Sequence, residues 1–198
     1  LFLERIFPVL TPIAVDPAHP FPFLQNRGFA LVLQLTRRND GHVLRALIPL
    51  SHQVERFFRL PGVDTRFLSL ENIVRMFVGQ LFPGYDVLGE GLVRVLRDSD
   101  IQIEDESEDL VRFYESAIKS RRRGSVTLLL VDSGMPDDLR RFVATEIGAP
   151  DDAVTVVDGI LGLGNTSELI LEQRTDLLFT SYSPRYPERI REAEGNLF

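Results

Sequence analysis

The sequence predicts an α+β fold with a mixed, largely antiparallel sheet and packed helices. Two strand-like segments, residues 28–36 and 42–49, flank a turn that contains Asp40-Gly41, which is typical of a β-hairpin. Strand-like and helix-like segments then alternate along the chain, which together with the antiparallel hairpin argues for an α+β or mixed α/β domain rather than a fully parallel, doubly wound sheet. With 198 residues, 44% hydrophobic and 26% charged, the chain can build one sizeable core or two small ones.

The first 26 residues have a composition of their own. Residues 1–7 resemble the last turns of a helix, and residues 8–26 contain five prolines. Because proline fixes φ and lacks an N–H donor, we predict an extended, apolar linker on a surface.

The elements beyond the hairpin follow from periodicity and from local stop signals. Short apolar or alternating runs predict strands over 54–60, 66–69, 86–97, 125–131 and 154–157. Helical patterns predict helices over 70–81, from the acidic stretch 98–109 to about Arg121, over 136–147 and over 166–172. The expected helix boundaries are marked by Ser69, Pro83-Gly84, Pro136 and Gly148.

The charge balance and the missing residue types exclude several classes of function. The net charge is −7, so any contact with a polyanion must be a local basic patch, and we expect no nucleic-acid partner. Cysteine is absent, which excludes disulfides and thiolate metal sites and fits a cytoplasmic protein. Lys119 is the only lysine, and no Gly-Lys-Ser/Thr occurs, so a P-loop is excluded.

The most enzyme-like feature is the glycine-rich loop at residues 159–164. A loop of this kind between a strand and a helix can bind an anion through free N–H groups and the helix dipole. However, Gly162-x-Gly164-x-x-Ser167 has serine in the third position, and a Pro-rich tail follows where a dinucleotide site needs an acidic strand end. A tight turn with a helix cap is therefore the favoured interpretation, and phosphate contact is the alternative.

No group of residues predicts a catalytic or metal centre. His19, His42 and His52 lie in predicted loops without a second ligand at helical spacing. A phosphate-accepting histidine would also need arginines or a metal around it. The acidic stretch 98–109 lacks calcium-loop spacing and is interpreted as a solvated helix start. We therefore predict no catalytic residue, no metal site and no cofactor site in this chain.

Arginine is the side chain best suited to bidentate recognition of phosphate. It occurs in runs at 37–38, 121–123 and 140–141, each of which is more simply explained as solvated charge. The tail from residue 174 has the composition of a linker, and linkers beside a neighbouring domain often line a site. Arg185 and Arg189 in this tail are therefore the candidates for phosphate contact.

Motifs spaced along the whole chain resemble one family. The segment Phe7-Pro8-Val9-Leu10-Thr11-Pro12-Ile13-Ala14-Val15-Asp16-Pro17 is similar to the start of the head domain of polyphosphate kinases of the histidine-phosphorylating class. Further blocks in the same order are Phe57-Phe58-Arg59-Leu60-Pro61, Leu81-Phe82-Pro83-Gly84-Tyr85, Asp158-Gly159-Ile160-Leu161-Gly162-Leu163 and Tyr182-Ser183-Pro184-Arg185-Tyr186-Pro187. On these motifs the chain is identified as a member of that family.

The resemblance implies a modular enzyme in which the head domain lies between an N-terminal helical domain and two catalytic domains. Such an enzyme reversibly transfers the γ-phosphate of ATP to inorganic polyphosphate through a phosphohistidine, with Mg²⁺. Its catalytic histidines and ATP-binding arginines lie in the catalytic domains and correspond to no residue here. The implied partners are the enzyme's own N-terminal and catalytic domains, further copies in a dimer or larger homo-oligomer, and the polyphosphate chain.

We expect three parts: a helix and linker from the N-terminal domain (1–26), the head domain (27–173) and a linker into the catalytic domain (174–198). The chain lacks an initiator Met and a signal-peptide pattern, so we expect a piece of a longer cytoplasmic enzyme, with membrane association confined to the full-length form. The expected role is scaffold and dimer contact, and the isolated piece is expected to be inactive. An independent protein-interaction module of the same fold and a nucleotide-binding enzyme built on the 159–164 loop remain alternatives.

Overall fold

The computed structural model describes residues 2–50, 53–98, 124–180 and 182–185. The strands are β1 (Ile13–Val15), β2 (Phe29–Arg37), β3 (Val43–Pro49), β4 (Phe57–Arg59), β5 (Phe67–Ser69), β6 (Tyr85–Arg97), β7 (Val126–Asp132) and β8 (Val154–Val157). The helices are a π-helix (Phe2–Ile6), α1 (Leu70–Met76), α2 (Val78–Leu81), α3 (Asp137–Ile147) and 3₁₀ helices at Phe7–Val9, Asp151–Ala153, Leu163–Leu169 and Thr175–Leu177. The acidic helix predicted to end near Arg121 lies outside the described residues.

The predicted mixed, largely antiparallel sheet is confirmed. Six of the described strands form one sheet in the order β1-β3-β2-β6-β7-β8, and β4 pairs with β5 in a separate two-stranded sheet. Within the large sheet the neighbouring strands are antiparallel except for β7 and β8, which are parallel. Strands β2 and β3 form the predicted hairpin, whose turn places Gly41 at a φ of 69°. Because a positive φ of this size suits glycine, the Asp40-Gly41 pair predicted the turn correctly.

Strand β2 lies inside the sheet and is buried on both faces. Leu31 and Leu33 pack in one hydrophobic core, whereas Ala30 and Val32 pack in the other. Burial on both faces explains why this segment is a continuous apolar run rather than an alternating pattern. The sheet therefore separates two cores, each of which is closed by helices and loops.

The first core is closed by the N-terminal π-helix and by α1. Phe2 and Ile6 are buried there, together with Ile73 and Val74 of α1. The ring of Phe2 stacks on that of Phe77, with centroids 4.2 Å apart. The first residues of the chain are thus packed against the same core as the strands.

The helix predicted over 70–81 is interrupted at Phe77. This residue has a φ of −114° and a ψ of 13°, and its N–H donates to the carbonyl of Val74 at 3.1 Å. Its ring is held against Phe2, and we attribute the break between α1 and α2 to this contact. The sequence pattern did not predict the break, because an aromatic residue at helical spacing fits an unbroken helix equally well.

The second core lies beneath α3, which begins after Pro136 and ends at Gly148, as predicted. Gly148 has a φ of 73°, the left-handed conformation that commonly terminates helices. Leu139 and Val143 of α3 are fully buried against the sheet. Gly91 of β6 makes room for the chain that leads into α3, since a Cβ at this position would overlap the side chain of Met135.

The Pro-rich segment supplies the edge strand β1. Ile13 lies opposite Leu47 and Val15 lies opposite Arg45 in an antiparallel pairing with β3. Further along, Leu24 is buried in the second core. The segment is extended, but backbone pairing ties it to the sheet. No strand is predicted here from sequence, because three residues between prolines are too few to show a periodic pattern.

The chain after β8 also departs from the sequence prediction. The helix predicted over 166–172 is a 3₁₀ helix at Leu163–Leu169. The hydroxyl of Thr166 donates to the carbonyl of Leu163 at 2.6 Å, and that of Ser167 donates to the carbonyl of Gly164 at 3.3 Å. Hydroxyl groups that bond to carbonyls three residues back compete with α-helical hydrogen bonding, which accounts for the tighter turn.

The chain divides into two compact units, Leu1–Glu168 and Leu169–Phe198. The described residues of the second unit are mostly exposed and include an ion pair between Arg174 and Asp176 at 2.7 Å. The domain boundaries expected from the sequence stay predictions. Among the described helices, none combines the length and the apolar composition required to cross a bilayer.

Candidate anion site at the glycine-rich loop

The glycine-rich loop after β8 is held against the first core by one apolar side chain. Gly159 and Gly162 have φ values of 124° and 70°, so both adopt conformations that side chains disfavour. Between them, Leu161 is only 1% exposed and packs in the first core. The loop is therefore the tight turn favoured from sequence, and it is anchored in a fixed position over the sheet.

The side chain of Arg94, on strand β6, lies directly against this loop. A Cβ built on Gly162 would overlap the Arg94 guanidinium, so the two groups are in close contact. Nη1 of Arg94 also lies 3.5 Å from Oδ1 of Asn165, a long and weak hydrogen bond. Within the described part of the chain, Arg94 makes no contact with a carboxylate.

Two more arginines lie close enough to Arg94 to influence the pKa of its guanidinium. Burial lowers the pKa of the Arg94 guanidinium, and the like charges of Arg56 and Arg27 lower this pKa further. An arginine side chain remains charged at neutral pH all the same. Arg27 is exposed and has a φ of 62°, a conformation that is uncommon for a residue other than glycine. Arg94 and Arg56 thus contact the glycine-rich loop, and Arg27 adds a third positive charge near Arg94.

Arg56 is the buried member of this group, and its charge is balanced. Its Nη2 donates to Oε1 of Glu71 at 2.7 Å and its Nε donates to Oε2 at 3.2 Å, while both residues are 5% exposed. Nη1 donates to the carbonyl of Gly162 at 3.0 Å, and the guanidinium lies 4.6 Å from the centroid of the Phe29 ring. Arg56 is therefore held in place by Glu71, and its hydrogen bond to the Gly162 carbonyl stabilises the position of the glycine-rich loop.

The second carboxylate near the loop, Glu168, is directed at the backbone. Its Oε2 accepts hydrogen bonds from the N–H groups of Arg56 and Phe57, at 2.7 and 3.0 Å. With Glu71 engaged by Arg56, neither carboxylate is bonded to Arg94. The three arginines and two glutamates leave one positive charge in excess, and Arg94 is the partly buried member of this group that has no acidic partner among the described residues.

A small cavity adjoins these groups. Its volume is about 170 Å³, and its lining residues are Phe29, Leu50, Val54, Arg56, Leu70, Asn165 and Glu168. This volume is below the roughly 300–1,000 Å³ of typical small-molecule sites. The cavity is therefore too small for a buried nucleoside, and Arg94 and Gly162 are not among its lining residues.

A larger cavity lies elsewhere, between the Pro-rich segment, β3 and α3. It has a volume of about 580 Å³ and is lined by Val15, Asp16, Pro17, Pro20, Phe21, Val43, Arg45, Phe142 and Glu146. The Arg45 guanidinium lies 4.1 Å from the centroid of the Phe142 ring. Here two carboxylates, of Asp16 and Glu146, face one cation, so the charge balance does not favour an anion.

Comparison with known proteins decides the family. The family model described as the polyphosphate kinase middle domain matches residues 1–169. The chain belongs to the polyphosphate kinase family. A relative named polyphosphate kinase in Erythrobacter litoralis is 44% identical over the whole chain, and one in Mycolicibacterium gilvum is 34% identical over 98% of it. The family resemblance read from the sequence motifs is thereby confirmed.

This chain spans only 27% of the length of each of these two polyphosphate kinases. The crystal structure of polyphosphate kinase from Porphyromonas gingivalis resembles it with a TM-score of 0.73, at 22% identity, over 98% of this chain and 28% of that one. At this identity the likeness supports the fold, and it agrees with the α+β architecture described above.

The structure does not test the phosphate contact predicted for the tail residues Arg185 and Arg189. Arg185 is an exposed residue of the second unit, and Arg189 lies outside the described residues. Their contact with phosphate stays a prediction for this polyphosphate kinase family member.

Three arginines of the runs noted in the sequence, Arg37, Arg38 and Arg140, have partners within the chain. Arg37 donates to Tyr85 and pairs with Asp40, and Arg38 pairs with Asp86 at 2.8 Å. On α3, a 2.7 Å ion pair joins the Arg140 guanidinium to the carboxylate of Asp137. The run at 121–123 lies outside the described residues. The described pairs fit the interpretation of these runs as surface charge.

Two of the three histidines can be placed. His19 is exposed, and its Nδ1 lies 3.1 Å from the carboxylate of Asp16; His42 is exposed beside the β2–β3 turn. The third, His52, lies outside the described residues. No three or more histidine and carboxylate side chains among the described residues are arranged to hold a metal ion.

The sequence patterns did not predict a role at a site for Arg27, Arg56 or Arg94. Arg94 carried a usable signal, because it occupies the same face of β6 as the buried Leu92, where an apolar residue is expected. A charged residue at a core-facing position of a strand is an informative exception. Arg56 carried no such signal, since its partners lie far away in the sequence.

Proposed function

We propose that this chain is the head domain of a polyphosphate kinase. The enzyme reversibly transfers the γ-phosphate of ATP to inorganic polyphosphate, with Mg²⁺ and through a phosphohistidine that lies outside this chain. The observation that carries the proposal is the match of the middle-domain family model to residues 1–169, in a chain that covers 27% of its relatives. Phosphoryl transfer needs a nucleophile, a metal and positive clamps that converge on one phosphate. His19, which is exposed and bonded to Asp16, is not placed among such groups.

The activity of two purified proteins tests this division of roles. The 198-residue chain should make no measurable polyphosphate from ATP and Mg²⁺, whereas the longer protein encoded around it should make polyphosphate under the same conditions. Synthesis is measured by the incorporation of labelled γ-phosphate into acid-insoluble polymer. Activity of the 198-residue chain alone would overturn the assignment of catalysis to other domains. A longer protein without kinase activity would favour an independent interaction module instead.

We further propose that the head domain serves as a scaffold and a dimer contact. An apolar surface next to the first core supports this role. The ring of Phe2 contacts Phe7 edge-on at 5.9 Å and stacks on Phe77, and the residues next in sequence to this stack, Leu3 and Met76, are 64% and 69% exposed. Exposed apolar side chains on segments that pack together are typical of surfaces that another domain or a second copy covers.

Substitution of this surface should separate the subunits. In the longer enzyme, Leu3→Ser combined with Met76→Ser should shift the mass measured by light scattering from a dimer or larger oligomer towards the monomer. Val63→Ser is the matched control, because Val63 is fully exposed in the turn between β4 and β5. An unchanged mass for the double variant would place the dimer contact elsewhere.

A further inference from the structure

We propose that Arg94 and the glycine-rich loop bind a phosphate group of an inorganic polyphosphate chain. The choice of polyphosphate as the ligand rests on the proposed function, whereas the choice of an anion rests on the contacts and the charge of Arg94. The site joins a strand residue, Arg94, to a loop residue, Gly162, that lies 68 positions further along the chain and whose lack of a side chain permits the contact.

The first argument is the state of the Arg94 donors. A guanidinium has five N–H donors, and within the described chain Arg94 uses one of them, at 3.5 Å from Asn165. Arg97, three residues further along the same strand, has two of its donors occupied by the backbone. Its Nε and Nη1 donate to the carbonyls of Leu24 and Gly124 at 2.7 and 3.0 Å. Arg94 therefore retains the donors that a phosphate oxygen accepts.

The second argument is the charge. Arg56 and Arg27 are like charges that disfavour the cation of Arg94, and no acidic side chain of the described residues is bonded to it. Partly burying a cation costs free energy unless an opposite charge compensates for it. A bound anion would supply that compensation, and arginine presents a planar fork that fits phosphate bidentately.

The third argument is size, which separates an inorganic chain from a nucleotide. Arg94 lines neither of the two cavities described above, and the one beside the loop, of about 170 Å³ and lined by Arg56 and Asn165, is too small to bury an adenosine group. A polyphosphate chain needs no such pocket, because its charged groups remain partly in water while one of them meets Arg94.

Calorimetric titration of the 198-residue chain tests the site directly. Inorganic polyphosphate of defined length, tripolyphosphate, inorganic phosphate and ATP are compared in the same buffer without Mg²⁺. We expect polyphosphate to bind most tightly and ATP more weakly than tripolyphosphate. Arg94→Gln should weaken polyphosphate binding about tenfold, the effect of losing one or two charge-assisted hydrogen bonds. Arg94→Lys should keep part of the affinity, because the charge stays and the fork is lost.

Arg38→Gln is the matched control, since it removes one positive charge from an exposed ion pair with Asp86. Equal losses from Arg94→Gln and Arg38→Gln would show a diffuse charge effect and overturn the site. ATP binding as tight as that of tripolyphosphate, and equally dependent on Arg94, would overturn the assignment to polyphosphate.

A measurement on the unmodified chain guards against variants that fail to fold. On titration with polyphosphate, the backbone amide resonances of Gly162, Leu163 and Gly164 should shift more than those around Arg45. Shifts confined to other regions would contradict the proposal. If these resonances shift but the longer protein makes no polyphosphate, the anion site stands and the proposed function fails. If synthesis occurs without these shifts, the function stands and the site fails.

Discussion

Arg56→Ala is expected to lower the free energy of unfolding by about 3–5 kcal/mol, because it leaves a buried carboxylate without its partner. Arg56 and Glu71 are each 5% exposed and are joined by hydrogen bonds of 2.7 and 3.2 Å. The substitution also removes the bond from Arg56 to the carbonyl of Gly162 and the contact with the Phe29 ring. Urea unfolding followed by circular dichroism measures the change.

The double variant Arg56→Met/Glu71→Leu tests whether the lost stability comes from the unpaired charge of Glu71. Since apolar side chains can replace a buried ion pair at little cost, it should recover most of the lost stability. Arg38→Ala serves as the surface control, where the ion pair with Asp86 is exposed and should contribute no more than about 1 kcal/mol. A loss of this small size for Arg56→Ala would show that Glu71 finds solvent or another partner, contrary to the burial described.

Gly162→Ala is expected to lower the free energy of unfolding by about 2–4 kcal/mol, through backbone strain and steric overlap together. Gly162 has a φ of 70°, and a Cβ at this position would overlap the guanidinium of Arg94. The added methyl must therefore displace the arginine or the loop. Equilibrium unfolding gives the stability, and the titration with polyphosphate reports whether the displaced arginine still binds an anion.

Gly148 provides a closely matched control for the backbone contribution. Its φ is 73°, and a Cβ there would meet no heavy atom within 4 Å. Gly148→Ala should therefore cost about 1 kcal/mol, the conformational part alone. The difference between the two variants measures the cost of displacing Arg94, and it should shrink when Arg94→Ala is introduced with Gly162→Ala. Equal costs at both positions would mean that Arg94 moves away freely.

Much of the fold was predictable because its signals are local. The β2–β3 hairpin follows from Asp40-Gly41 between two apolar runs, and helix α3 follows from Pro136 and Gly148 at its ends. In each case the residue that decides the turn or the helix end lies within a few positions of it, because glycine allows a positive φ and proline lacks an N–H donor. The family could be named from the sequence for a different reason, since its motifs recur in order along the whole chain.

Where prediction of the fold failed, a contact from elsewhere in the chain changed a local preference. The ring of Phe2 holds Phe77 where the helix 70–81 would otherwise continue, and β3 turns three residues between prolines into an edge strand. Neither partner is visible in a window of ten or so residues. The helix expected after the glycine-rich loop failed for a local reason, the hydroxyl groups of Thr166 and Ser167.

The sequence by itself determined the α+β class, the hairpin, helix α3 and the family. It also directed attention to the glycine-rich loop, as a tight turn with anion binding as the alternative. Only the tertiary structure decided what that turn faces, by placing Arg94 against Gly162 and by neutralising Arg56 with Glu71. The physical reason is that hydrogen bonding and φ preferences act over a few residues, whereas the charge balance of a site is set by groups that only folding brings together.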